Sequence, residues 1–306
     1  MTTLSSRIEL ADFFAETADP ALLESADRGH TELLDYRQLY ELWERQQWLT
    51  QELDFSQDRE DWHGFPADER FQRMYGLSSF FIGEQKVTDE LGPMMRAAPT
   101  EDMRVFLSTQ IADEARHVRF FDRFYAEVGV LESGTLSERL KETSKHLNPA
   151  FNTLFDDMLG SRVRRLAAEP TDFEALLEAI TLYHMVIEGM LALTGQHFII
   201  DFNEREGTLP GFVHGFNLVA RDEHRHVAFG ARFLRDAVTA DPENKKVIQR
   251  MLEEALPVTD EVLSPPWVED PTNYEFFGVD INETRDFAAQ ALTRRLKVIG
   301  LVPAGA

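Results

Sequence analysis

Three Glu-x-x-His pairs stand out as residues that could bind a metal ion. Positions i and i+3 are neighbours on a helix, so one pair can offer a carboxylate oxygen and an imidazole nitrogen to the same cation. The pairs are Glu60/His63, Glu114/His117 and Glu223/His226. The first lies beside Gly64 and Pro66 without an apolar helical surround, and we interpret it as a surface pair. The other two lie in apolar helical stretches, which predicts buried ligands because an unpaired buried charge is costly.

Each of these two buried pairs follows a lone glutamate in a strongly apolar stretch. Glu84 precedes Glu114 by 30 residues (114 − 84), and Glu188 precedes Glu223 by 35 residues (223 − 188). In an antiparallel helical hairpin, about 15 residues out and 15 back return the chain to the same height, about 22 Å from the turn. Two such hairpins would supply four glutamates and two histidines at mid-height. This is the ligand set of di-iron and di-manganese carboxylate bundles, and it suits two ions such as iron or manganese.

Helical periodicity and breaker residues predict the elements that must hold these side chains. We expect an all-α fold, a four-helix bundle with additional flanking helices, and a single domain over residues 1–306. The bundle should span about 69–239, preceded by a helix from Asp35 to about Leu53. Pro265, Pro266 and Gly278 predict an irregular segment over 257–280. A C-terminal helix is expected over 281–299.

The composition narrows the chemistry further. The 306 residues include no cysteine, so any metal must be bound by Asp, Glu, His or water. The net charge of -23 argues against a nucleic-acid partner, because phosphate backbones are repelled. The stretch Met1 to Phe14 carries Glu9 and Asp12 and lacks the order of a secretory signal. No apolar run approaches roughly 20 residues, so we expect no membrane span and a cytoplasmic location.

The chain resembles the small subunit of class I ribonucleotide reductase and its ferritin-like relatives over roughly residues 35–236. The matching segments are WLTQELDFSQD at 48–58, FIGEQKVTDEL at 81–91, DEARH at 113–117, EGMLALTG at 188–195 and RDEHRH at 221–226. The resemblance implies one ion bound by Glu84, Glu114 and His117, and a second bound by Glu188, Glu223 and His226, with glutamates of both halves bridging. It also implies that Trp48 delivers an electron to the metals and that Asp222 orients a ligand histidine.

Within this superfamily the chain looks most like the ligand-binding oxidases. That likeness implies a manganese/iron pair, or alternatively two irons, together with dioxygen activation, a long-chain fatty acid or other apolar ligand, and a homodimer. It also implies an ether cross-link between Val87 and Tyr183. Val87 is three residues after Glu84 and shares its face. Tyr183 is five residues before Glu188, about 140° away on a regular helix, so the cross-link requires a local distortion there.

Three other functions stay open from the sequence. The first is a reductase radical subunit. Against it, Phe121 stands where such subunits usually have a radical tyrosine. Such subunits also carry a tyrosine for radical transfer in a C-terminal tail, whereas the last tyrosine of this sequence is Tyr274. The second is a lipid-binding or iron-handling bundle whose metals do no substrate chemistry. The third is an oxygenase that acts on an amine or an amino acid. Co-purification with a large subunit, oxygen consumption and product analysis would distinguish them.

Overall fold

A computed structural model describes residues 3–8, 33–131, 134–268 and 274–301. Within these ranges nearly all of the secondary structure is helical, which confirms the all-α prediction. The elements in chain order are α1 (Leu4–Arg7), α2 (Tyr36–Arg45), α3 (Ser56–Gly64), α4 (Ala67–Ala97), α5 (Glu101–Val128), α6 (Leu136–Thr143), α7 (Pro149–Asn152), the π-helical π1 (Thr153–Leu159), α8 (Gly160–Ala168), α9 (Phe173–Ile180), the π-helical π2 (Thr181–Ala192), α10 (Leu193–Glu206), α11 (Pro210–Ala240), α12 (Asn244–Val262), β1 (Glu275–Phe276), β2 (Val279–Asp280) and α13 (Ile281–Ile299).

Two antiparallel hairpins form the bundle. The first joins α4 to α5, and the second joins the continuous rod of α9, π2 and α10 to α11. Helix α5 begins at a Thr100 cap, whose side chain accepts a hydrogen bond from the backbone of Met103. Helix α11 begins with Pro210, and the Asp58 carboxylate of α3 accepts bonds from the backbone of Gly211 and Phe212. The short connections set the heights at which the two hairpins face each other.

A polar belt divides the bundle core in two. Towards one end lies a phenylalanine-rich cluster that includes Phe121 of α5 and Phe216 of α11. Towards the other lies a larger aliphatic cluster that includes Phe106 of α5 and Phe229 of α11. Between them the same two helices bury most of the charged residues in the stretches 113–117 and 222–226, namely Asp113, Glu114 and His117 of α5 and Asp222, Glu223, Arg225 and His226 of α11. The candidate ligands therefore lie deep in the bundle between two apolar regions.

Two predicted segments differ from the structure. The helix expected from Asp35 to Leu53 ends at Arg45, and only a short 3₁₀ turn (Thr50–Glu52) follows. The segment predicted as irregular from 257 is helical to Val262, because Pro257 is accommodated within α12, and its end forms the β1–β2 hairpin. Residues 269–273 of that segment, and the N-terminal stretch with Glu9 and Asp12, lie outside the described residues. The single domain over 1–306 stays a prediction.

One apolar stretch is longer than the sequence analysis recognised. In the described part of the chain, the continuous helix Phe173–Glu206 contains an 18-residue window whose length and composition would suit a membrane span. That window is 78% buried inside the protein. Burial of this kind is expected of the central helix of a core, and the helix carries two bundle residues, Tyr183 and Glu188.

Candidate metal centre

The structure brings all six predicted ligands together. They form two overlapping groups of four, within each of which the ligand atoms lie within 4.8 Å of one another. The first group is Glu84, Glu114, His117 and Glu223, and the second is Glu114, Glu188, Glu223 and His226. Glu114 and Glu223 belong to both groups, so they occupy the bridging positions between two possible cation sites. All six side chains are buried.

Both imidazoles point Nδ1 at the carboxylates. Nδ1 of His117 lies 3.3 Å from oxygens of Glu84 and of Glu114. Nδ1 of His226 lies 3.2 Å from oxygens of Glu114 and of Glu188. The rings of the two histidines are 6.2 Å apart between centroids. The arrangement gives each half of the site one nitrogen donor and several oxygen donors.

The buried acids and imidazoles of this cluster have strongly shifted pKa values. Burial raises the pKa of Glu84 and of Glu188 well above 4.5. Burial also opposes a charge on His117 and His226, but the neighbouring glutamates, with Asp222 and Asp113, raise the pKa of both imidazoles well above 6.5. Burial also raises the pKa of Glu114, but the charges and hydrogen bonds of His226 and His117 together outweigh it and hold this pKa well below its ordinary range.

The donor set fits a pair of divalent cations. One buried oxygen on each of Glu114, Glu188 and Glu223 accepts no hydrogen bond from the residues that the structure describes. A buried acceptor without a partner costs free energy, and a cation would satisfy it. Carboxylate and imidazole donors without thiolates suit manganese and iron. The role of the six residues as ligands stays a prediction, but their geometry and chemistry agree with it.

Asp222 connects His117 to an indole. Nε2 of His117 lies 3.3 Å from Oδ2 of Asp222, and Nε1 of Trp48 donates to the same oxygen over 2.7 Å. Trp48 is also stacked against His117, with 6.5 Å between ring centroids. Because Nε2 is bonded to the aspartate, Nδ1 is left free to face the cluster. The predicted positions of Trp48 and Asp222 thus lie directly behind the first histidine.

The second histidine has the same kind of support, which the sequence analysis missed. Nε2 of His226 lies 3.1 Å from Oδ2 of Asp113, and Nε1 of Trp43 donates to Oδ1 of Asp113 over 2.9 Å. Arg225 donates to both aspartates, over 3.0 Å to Asp113 and 2.7 Å to Asp222. Each aspartate therefore orients the histidine of the opposite hairpin. The repeated pattern Asp-Glu-x-Arg-His, at 113–117 and 222–226, was the signal that could have found Asp113.

A π-helix brings Tyr183 to the site. Regular α-helical geometry would turn Tyr183 away from Glu188, but both residues lie within π2, where hydrogen bonds run from i to i+5. The hydroxyl of Tyr183 donates to Oε1 of Glu114 over 2.8 Å. Nε2 of Gln110 donates both to that hydroxyl, over 3.2 Å, and to Glu188, over 3.1 Å. The expected local distortion is therefore present, and it extends over twelve residues.

An apolar cavity of about 170 Å³ adjoins the carboxylates. We name it the chamber. Its walls include Val87 and Tyr183, together with the four glutamates of the cluster. Val87 is 4% exposed and lies on the same face of α4 as Glu84. The two predicted cross-link residues therefore border one space with the candidate ligands.

The remaining Glu-x-x-His pair lies apart from this site. Glu60 and His63 are both exposed on α3, and Nδ1 of His63 is bonded to the backbone carbonyl of Arg59 over 2.7 Å. The surface interpretation of this pair is confirmed. This exposed pair has the same i, i+3 spacing as the two buried pairs, so it can serve as a control for them.

The fold and site together define a helical bundle with a buried carboxylate and histidine cluster able to bind two metals. Residues 32–304 match the family model of the ribonucleotide reductase small chain, and the chain belongs to this family. The family, together with similar solved structures of R2-like ligand-binding oxidases, places the chain at the general level among oxidoreductases with a two-metal cofactor.

Several solved structures of R2-like ligand-binding oxidases are similar to this chain. A valine-to-isoleucine variant with aerobically reconstituted Mn/Fe cofactor is 25% identical, with a TM-score of 0.77, over 88% of this chain and 95% of that chain. A tyrosine-to-phenylalanine variant with aerobically reconstituted Mn/Fe cofactor is 25% identical, with a TM-score of 0.78, over 88% and 94%. A valine-to-leucine variant with anaerobically reconstituted Mn/Fe cofactor is 26% identical, with a TM-score of 0.77, over 88% and 94%. The predicted ferritin-like helical fold is confirmed.

Proposed function

We propose that this protein is a dimetal-carboxylate oxidase that activates dioxygen beside an apolar ligand. The observation that carries the proposal is the position of an oxidisable pair at the candidate metal centre. Tyr183 donates to the candidate bridging ligand Glu114, and Val87 borders the same chamber. A bound manganese and iron, or two irons, would supply the electrons that reduce dioxygen. The ions would be held by Glu84, Glu114, His117, Glu188, Glu223 and His226.

The chain's own residues would undergo the first oxidation. An ether bond between the phenol oxygen of Tyr183 and a carbon of Val87 would form as one O–H and one C–H bond break, which releases two electrons and two protons. With two further electrons from the metals, these would reduce one dioxygen to two hydroxide ions. The nearest acceptor for the phenol proton on its way is Glu114, 2.8 Å away. Burial raises the pKa of Tyr183 well above 10, so the hydroxyl keeps its proton until it is oxidised.

Two residues behind His117 have proposed roles in the same reaction. Asp222 would hold the imidazole with Nδ1 towards the cluster, which sets the donor geometry. Trp48 would pass an electron towards the centre through Asp222 and His117, because its indole donates directly to that carboxylate. Trp48 is 7% exposed, so one edge of it reaches the surface. Its indole also contacts Asp222, directly behind the site.

The chamber would take a long-chain fatty acid. Its walls away from the glutamates are mainly apolar and include Phe151, Phe155, Leu191 and Phe198. An acyl chain is stabilised there by burial from water, while a carboxylate head would face the cations. The similar solved structures are named as ligand-binding oxidases, which favours a ligand in this space.

The proposal is tested by intact mass and peptide mapping before and after aerobic exposure to manganese(II) plus iron(II). We expect the loss of two hydrogens, with the peptides of Val87 and Tyr183 joined. Tyr183→Phe should abolish the cross-link. Tyr125→Phe is the matched control, because Tyr125 is equally buried but does not border the chamber. An unchanged mass with separate peptides in the loaded wild type would contradict the cross-link.

A second candidate is a radical-generating reductase subunit, which the family match itself favours. Against it stands Phe121, fully buried four residues after His117, where a radical tyrosine would be expected. Capture of a large catalytic subunit that gains reductase activity with this chain would favour this candidate. A bundle that only binds lipid or metal would consume no oxygen after loading with reduced metal.

We further propose that the protein acts as a homodimer in the cytoplasm, as the likeness to the superfamily implies. Light scattering on the metal-loaded protein would give the mass directly. A mass equal to that of one chain at micromolar concentration would contradict the dimer.

A further inference from the structure

The β1–β2 hairpin has a turn that its own sequence disfavours. Phe276 pairs with Val279, so Phe277 and Gly278 form a two-residue turn. Both have positive φ angles, 50° for Phe277 and 73° for Gly278. Type I′ turns of this kind favour Asn-Gly, and a bulky side chain at positive φ is strained. A phenylalanine in such a strained position indicates that its ring has a structural or functional role.

The ring of Phe277 fills a notch in α4. A Cβ atom added to Gly76 would lie 2.8 Å from Cε2 of Phe277 and 3.0 Å from Cζ of Phe276, so a glycine is needed for this approach. On the other side Phe202 of α10 contacts Phe277, with 5.7 Å between ring centroids. Phe277 is only 9% exposed. Its ring is therefore held between α4 and α10.

This position coincides with the end of the chamber. On α4 the chamber walls run from Val87 back to Tyr75, and on α10 they end at Ile199. Phe202 lies one turn further along α10. Among the described residues that line the chamber Phe202 is absent, and its ring contacts Phe277. Gly76 lies eight residues from Glu84, which is about 12 Å along a helix. The ring of Phe277 thus borders the part of the chamber that lies farthest along α4 from the carboxylates.

We propose that Phe277 determines the longest apolar chain that the chamber accepts. The inference rests on the proposed function, in which a fatty acid lies with its head at the metals. Each methylene group that is buried raises affinity by about fourfold. A chain that reaches Phe277 gains nothing from further carbons, because they must displace a ring that Gly76 and Phe202 hold in place. Affinity should therefore rise with chain length and then reach a break.

The test measures binding of saturated fatty acids of increasing length to the metal-loaded protein, by displacement of a fluorescent fatty acid. In the wild type we expect about fourfold tighter binding per carbon up to the break. Phe277→Gly should move the break by about two or more carbons to longer chains, since glycine adopts positive φ freely and leaves the wall open. Gly76→Ala should move it to shorter chains, because its methyl group enters the wall.

Two further variants keep the test decisive. Phe277→Asn preserves the turn, since asparagine suits positive φ, and should shift the break in the same direction as Phe277→Gly. Gly92→Ala lies on the same helix with nothing within 4 Å of the added atom, and should leave the break unchanged. If the wild type binds fatty acids but no Phe277 or Gly76 variant moves the break, the role of Phe277 is wrong and the proposed function stands. If the wild type binds no fatty acid, the ligand part of the proposed function fails as well.

Discussion

Loading the metal-free protein with two divalent ions should expel protons from the carboxylate cluster. Burial raises the pKa of Glu84 and Glu188, and the neighbouring carboxylates raise the pKa of His117 and His226. A carboxylate or an imidazole nitrogen must give up its proton to bind a cation. The ions therefore compete with protons for these four candidate ligands.

At pH 6 we expect the release of at least two protons for two ions, because the pKa of each imidazole lies well above 6.5. By linkage, the apparent affinity for the pair of ions then rises about tenfold per pH unit for each proton. For two protons this is about 3 kcal/mol per pH unit. Lowering the pH should therefore release the ions within a narrow pH interval.

The release is measured by anaerobic titration with manganese(II) in weak buffer with a pH indicator, or by calorimetry in two buffers of different ionisation enthalpy. Glu84→Gln removes the carboxylate that most strongly raises the pKa of His117 and should release fewer protons than the wild type at saturating metal. Glu60→Gln changes the exposed pair of identical spacing and should release as many protons as the wild type. Release of one proton or none by the wild type would refute the assignment of protons to this cluster.

Three other outcomes follow from single contacts. Burial lowers the pKa of His184 from 6.5 to about 3, so the unfolded chain binds a proton that the native state rejects. The free energy of unfolding of the metal-free protein should lose about 1.4 kcal/mol per pH unit from 6.5 to 3 through this group, and urea melts of His184→Gln should lack that part of the slope. Gly230→Ala places a Cβ atom 2.2 Å from Cβ of His184 and should cost about 1–3 kcal/mol in thermal unfolding; equal stability to Gly92→Ala would contradict the close approach. Asp113→Asn removes the carboxylate behind His226 and should weaken metal affinity about 10–100-fold against a chelating dye, whereas an unchanged affinity would show that the contact is dispensable.

The candidate ligands could be found from the sequence because their spacing is local. The i, i+3 pairs follow from helix geometry, and the separations of Glu84 from Glu114 and of Glu188 from Glu223 follow from hairpin length. Asp113 was missed although the repeated Asp-Glu-x-Arg-His pattern contains it, because its partner His226 belongs to the other hairpin. Trp43 could not be placed in this way, since its contact depends on how α2 packs against the bundle, which no single-helix pattern encodes.

Backbone irregularities were the other difficulty. The distance between Tyr183 and Glu188 indicated that the helix must depart from α geometry, but the length of π2 could not be inferred because π turns have no strong sequence signature. Pro257 lies inside α12, where a proline usually ends a helix. Its neighbours Leu252 and Leu256 are buried, so tertiary packing of α12 outweighs the lost backbone hydrogen bond.

The crosswise support of the histidines constrains when the centre can be assembled. The Asp222–His117 contact spans 105 positions of the chain and the Asp113–His226 contact spans 113. A nascent chain that has emerged as far as residue 200 exposes Glu84, Glu114, His117 and Glu188, yet it has neither the second histidine nor the aspartate that aligns the first. Metal insertion during synthesis would thereby be deferred until α11 has left the ribosome and docked. A stalled product of this length would lack two of the six proposed ligands, Glu223 and His226.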